Sequence, residues 1–247
     1  MEVLPLRTHP PRIPTRQRHN PPQASWQGGY QKYSPCLRWD FGFTCAFCLL
    51  HEADFALHGV SGLGTFTAEH FEPQSIDTQK VKVNAYANLV YACRLCNRAR
   101  SAAPGAAQSR RLLDPTRDNW DSHFQLEGDS LLPRTGDMDA SYTWEVYDLD
   151  DRRKVEKRKG RYDLLSCSID LLKTGPAFHK ELIDLAEQNP QKELIEKART
   201  LDTAIRQAYL IIKHYSAIPA DAPVQCRCGT TDMHSLPEEF ARQAVQI

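Results

Sequence analysis

Two cysteine pairs at CxxC spacing, Cys45/Cys48 and Cys93/Cys96, constrain this chain more than any other feature. One CxxC turn brings two sulfurs to a single metal. A second, across a long insert, completes a tetrahedral thiolate site and ties the ends of the insert together. Four soft ligands fill the coordination sphere of Zn²⁺ and leave no position for water, so the expected centre is structural. The chain has eight cysteines and no apolar leader like that of a secretory signal. Metal-bound or structural thiols are therefore expected over a disulfide framework, and the cytoplasm over an oxidising compartment. Cys36 and Cys167 read as isolated thiols. Cys226, Cys228 and His234 in "QCRCGTTDMH" offer a second knuckle that lacks a clear fourth ligand.

The insert is long for a minimal zinc ribbon and carries "TAEHFEPQS" over residues 67–75. Glu69 and His70 form an adjacent acid and imidazole. They read either as a metal ligand beside a general base or as two polar residues at a strand end. On a regular strand they point to opposite faces, so joint action requires the chain to turn there, and Pro73 suits a strand ending. His51, Glu52 and His58 near the first knuckle read either as residues that support the site from behind or, in preference, as exposed loop, and His123 reads as structural.

The remaining organisation is that of a mixed α+β chain. Residues 1–29 are rich in Pro, Arg and Gln and predict an extended or disordered basic arm. Residues 30–105 form the module bracketed by the knuckles. Residues 106–150 predict a short β-rich extension with a turn at Asp114-Pro115. Within it, Tyr142, Trp144 and Val146 alternate with Thr143, Glu145 and Tyr147 as in a half-buried strand. Residues 151–247 predict a helical region, with Asn189 as a cap and Pro190 at the first helical position. Leu194, Ala198, Leu201, Ile205, Ala208 and Ile212 recur at steps of four and three. This seam suits a partner helix, either internal, with 177–188 a candidate, or from another chain.

Lysine plus arginine and aspartate plus glutamate both number 31, a formal net charge of zero, so the whole chain does not advertise a polyanionic partner. The charge is uneven. Residues 1–38 carry six basic residues against Glu2 alone, and "RRKVEKRKGR" occupies 152–161. Each run reads as solvated surface or as nucleic-acid contact. No apolar run is long enough to span a bilayer, and no membrane partner is expected.

In order, residues 45–100 present "CAFC", "EHFEP", "NLVYACRLCN" and Arg100. This pattern resembles the HNH endonucleases, the ββα-metal nucleases, in their zinc-stapled branch. The match covers about a quarter of the chain. The flanks "YQKYSPCLRWDFGFTCAFC" and "LLDPTRDNWDSHF" resemble a bacterial HNH subgroup that includes the nuclease subunit of Septu-type antiphage systems, which work with an ATPase partner. The resemblance implies a ββα-metal core and hydrolysis of phosphodiesters, with DNA the expected substrate. It makes His70 the general base, Glu69 and Asn97 ligands to a catalytic Mg²⁺ or Mn²⁺, and Asn88 the residue that holds the finger and orients His70. It also makes Arg100 a phosphate contact and Cys45, Cys48, Cys93 and Cys96 the structural zinc ligands. Glu69 stands where the family more often has Asp, and Asn97 where some members have a third His. Asn84 rivals Asn88, but Leu89 favours the latter. The chemistry suits these residue types: an imidazole titrating near neutrality accepts a proton from water, and a hard cation stabilises charge on the phosphate. The alternative is a non-catalytic zinc module that binds nucleic acid or protein.

Overall fold

The computed structural model describes residues 29–56, 65–72, 84–100, 106–107, 109–127 and 130–216. The expectations for the arm up to residue 28, for His58 and Pro73, and for Cys226, Cys228 and His234 lie outside these residues. The chain divides into two units between Gly160 and Arg161. Among the described residues no helix is long and apolar enough to cross a membrane.

In the first unit a 3-10 turn, Tyr30–Tyr33, leads into α1 (Ser34–Asp40). The first knuckle follows as a tight loop. Phe43 and Leu49 take φ of 60° and 62°, Thr44 bridges to His51, and the Cys45 amide donates to the Leu50 carbonyl at 2.8 Å. After α2 (Ala53–Ala56), β1 (Phe66–His70) and β2 (Leu89–Cys93) pair antiparallel, with Phe66 opposite Cys93 and His70 opposite Leu89. In β1, buried Phe66, Ala68 and His70 alternate with half-buried Thr67 and Glu69. Every residue of β2 is buried. α3 (Arg94–Arg100) follows β2 directly, so the second knuckle spans a strand end and the first turn of a helix. Phe47, Leu50, Leu89 and the four cysteines belong to one buried apolar cluster.

Two small strand pairs extend this unit: β3 (Ala106–Ala107) with β4 (Arg110–Arg111), and, after α4 (Trp120–His123), β5 (Phe124–Glu127) with β6 (Ser130–Pro133). The Asp114-Pro115 turn is present, held by the Thr116 amide and hydroxyl donating to Asp114 Oδ1. The alternation over 142–147 does not produce a strand: Met138–Val146 is helix α5. Asp137 caps it, accepting from the Ala140 amide at 2.8 Å. Ala140, Thr143 and Tyr147, all buried at 0% exposure, also recur at helical steps of three and four. The cap selects the helical period over the two-residue one.

Helix α6 (Arg152–Gln188) begins in the first unit and continues into the second, where α7 (Lys192–Ser216) follows it. Asn189 and Pro190 precede α7 rather than open it. The Gln191 carbonyl accepts from the Leu194 and Ile195 amides, and Pro190 supplies the break between helices. In the expected seam Ala198, Ala208 and Ile212 are buried and Leu194, Leu201 and Ile205 half-buried. The partner is internal: a Cβ on Gly175 of α6 would stand 3.0 Å from the Ile205 side chain.

Candidate functional site

The two knuckles bring their cysteines together. All four are 0% exposed, and their sulfurs lie within 4.8 Å of one another. Cys48 Sγ and Cys93 Sγ are 3.5 Å apart. A tetrahedral zinc with bonds of about 2.3 Å places its sulfurs about 3.8 Å from one another, so the cluster fits a metal ion such as zinc. Among the described residues it is the group of His, Cys, Asp and Glu side chains close enough to share an ion. Burial pushes Cys93 and Cys96 up. Cys45, although also buried, is held well down by hydrogen bonds from its three neighbours.

Glu69 and His70 occupy the last two positions of β1, and a bend at residues 71–72 follows. The bend comes after the pair rather than between its members, so the two side chains leave opposite faces of the strand. His70 is 6% exposed, and the Tyr30 ring stands edge-on to it with centroids 4.2 Å apart. Glu69 shares its surroundings with Arg100. Burial pushes its carboxyl up to about 7, and the guanidinium offsets part of that rise.

Asn88 clamps the chain just beyond the pair. Its Oδ1 accepts from the Glu72 amide at 2.8 Å, its Nδ2 donates to the Glu72 carbonyl at 3.1 Å, and its carbonyl accepts from the Phe71 amide at 2.9 Å. Asn84, its rival, is exposed. Asn97 lies half-buried on α3 beside Cys96. Arg100, which the resemblance makes a phosphate contact, is only 3% exposed and donates to the Phe71 carbonyl at 3.4 Å. α3 packs against β1 and β2, and its last residue turns inward. Beside Arg100 lies the Tyr147 hydroxyl, which burial pushes up and the Arg100 charge draws back.

The surroundings differ from expectation at His51 and Glu52, which are 5% and 4% exposed rather than on an open loop. Arg38 grips Glu52 through two bonds of 2.7 Å, and the Tyr91 hydroxyl donates to the same carboxylate at 2.5 Å. This buried charge pair ties α1 and β2 to the first knuckle. His123 is structural as expected, bonded through Nδ1 to Asp137 Oδ2 at 2.6 Å. Past the strand end opens a cleft of about 640 Å³, lined by Phe71, Glu72, Asn88, Arg111, Asp114 and Arg117 among others. Its charge is mixed, because Arg111 is held by Asp118 at 2.7 and 2.8 Å.

Sequence reasoning missed Tyr30, Tyr147, Lys154 and Arg158 around these centres. Of these, only the two cations left a trace, as an i, i+4 pair within the basic run. No family model, no curated protein and no solved structure matches the chain.

Proposed function

We propose that the chain is a metal-dependent endonuclease of the HNH type that hydrolyses phosphodiesters, with DNA as substrate. The observation that carries this is the hairpin β1–β2 running straight into α3: it keeps Glu69 and His70 at a strand end, Asn88 across from them and Asn97 on the helix, all stapled by the tetrathiolate. His70 accepts the proton of the attacking water. Because the two side chains leave opposite faces of β1, their joint action on one phosphate requires the strand end to turn when metal or substrate binds. Glu69 and Asn97 would hold Mg²⁺ or Mn²⁺, and an oxygen donor set of this kind suits such hard ions. The chemistry such an ion supplies is neutralisation of developing charge at the phosphate. Asn88 keeps the strand end from fraying, and Tyr30 orients the imidazole. Arg100 acts on Glu69 from within rather than on substrate.

The flanking segments extend the proposal to antiphage defence alongside an ATPase partner. The 6% exposure of His70 favours a second reading, a non-catalytic zinc module that binds nucleic acid or protein. One experiment separates them: cleavage of supercoiled, linear and single-stranded substrates with Mg²⁺ or Mn²⁺, with and without an ATPase encoded beside it. His70→Ala, folded and zinc-loaded, is expected to lose cleavage by about 10²-fold or more. A variant that cuts as well as wild type sinks the assignment of the base.

A further inference from the structure

The cleft of about 640 Å³ past the strand end has no part in the steps proposed above. It lies within the first unit and begins at Phe71, the residue after His70. Phe71 and Leu112 give it apolar wall, and its remaining lining is largely polar. The charge of that lining decides what the cleft can hold. Glu72, Asp114 and Asp118 outnumber Arg111 and Arg117, so a bare phosphate chain is not drawn into the interior.

The acids are not equivalent. Asp118 is committed to Arg111 through bonds of 2.7 and 2.8 Å and to the Asp114 amide at 2.6 Å. Asp114 Oδ1 accepts from the Thr116 amide and hydroxyl at 2.8 and 2.7 Å. Its Oδ2 has a loose pair with Arg117 Nε at 3.5 Å, and a carboxylate oxygen so placed can accept from an incoming donor. The Arg117 side chain is 78% exposed, which sets its guanidinium at the mouth of the cleft. A flat apolar group with N–H donors on its edge, attached to an anion that stays outside, matches this arrangement. An unstacked nucleobase is such a group, because its face stacks on aromatic rings and its exocyclic amino group donates to carboxylates. The volume falls in the range of sites that enclose small ligands.

We propose that the cleft binds one unstacked nucleobase of the substrate strand, with its face on Phe71, an exocyclic amino group donating to Asp114, and its phosphate at Arg117. This rests on the nucleic-acid substrate proposed above and adds to it a preference for amino-bearing bases beside the strand end. Arg117 then supplies the surface phosphate contact that Arg100, at 3% exposure, does not.

The test is binding of single-stranded oligonucleotides to the full-length chain, read by fluorescence anisotropy without added divalent ion so that no strand is cut. Oligo(dC) and oligo(dU) differ in the amino-bearing ring edge, so comparing them isolates the Asp114 contact. Wild type is expected to favour oligo(dC) by about fivefold or more, and Asp114→Asn to abolish that preference. Phe71→Leu keeps an apolar side chain against the core but removes the ring, and should weaken binding of both strands about tenfold. Arg117→Gln should reduce the slope of log affinity against log salt by about 0.7 and leave the preference intact. At its exposed position it keeps the phosphate contact testable should Phe71→Leu not fold. A wild-type chain that binds neither strand, or binds both equally, overturns the base pocket even where cleavage is observed. So does an Asp114→Asn variant that keeps the preference. A chain that shows the preference yet cuts no substrate keeps the pocket and overturns the nuclease reading instead.

Discussion

Glu69 stands half-buried beside Arg100, and burial pushes its carboxyl up to about 7 from an ordinary value of 4.5. Below the lower value both folded and unfolded chains hold the proton. Between the two the unfolded chain releases it while the folded chain retains it, so stability present at low pH is lost as pH rises towards 7 and stays lost above. Glu69→Gln removes this penalty. Thermal melts of variant and wild type across pH 4–8, without added Mg²⁺, should show the variant gaining on wild type as pH rises. A gap that stays constant with pH would mean that Glu69 ionises freely. The same residue links stability to function. A divalent ion at Glu69 favours the ionised carboxylate, so added Mg²⁺ at pH 8 should narrow the gap. The buried Glu52 offers a contrast: its carboxylate is matched by Arg38 and Tyr91, and Glu52→Ala, which strands the guanidinium, is expected to cost about 3–5 kcal/mol in urea unfolding.

At the scale of elements, caps and covering faces decide more than pattern. α5 is a helix because Gly136, with φ of 83°, and the Asp137 cap start one, and because Asp137 also meets His123. That carboxyl is held below its usual range by the Ala140 amide and His123, although burial opposes this. Asp137→Ala should therefore cost about 1–2 kcal/mol, read in urea unfolding, and lose the His123 contact with it. Asp137→Asn, which keeps the cap oxygen, should recover most of it. In the knuckle module only the strand end at Glu69-His70 was read from the residues themselves, and an order of two strands and a helix was expected from the resemblance alone. The strand at 142–147 was misread because its aromatic alternation also fits a helix face, and only capping separates the two. The basic run is the other reversal. As letters, Lys154 and Arg158 look solvated, yet one face of α6 turns them inward.

For the whole molecule, two units divide at Gly160 and Arg161, and they draw on different sources of stability. The first is built around the buried apolar cluster that contains the four cysteines, which fit a metal ion. The second comprises long helices and has no comparable metal cluster among the described residues. A strong chelator should lower the melting temperature of the first unit and release aromatic near-ultraviolet signal from Phe47 and Tyr147, which stack at 3.8 Å. The helical far-ultraviolet signal carried by residues 161–216 should largely persist. A single transition in which both signals fall together on chelation would show that the units share one cooperative unfolding.

The sequence alone determined the thiolate tetrad, the strand-end acid and imidazole, and the helical seam of α7, because each depends on residue type at fixed local spacing. Tertiary structure decided what surrounds them. It buried Arg100 and Glu52, set Tyr30 against His70, made Asn88 a clamp on Glu72, and bonded the Arg158 guanidinium to the Cys48 carbonyl. These are contacts between elements distant in the chain. Their energies come from desolvation and charge pairing across the fold, which spacing along one segment does not encode.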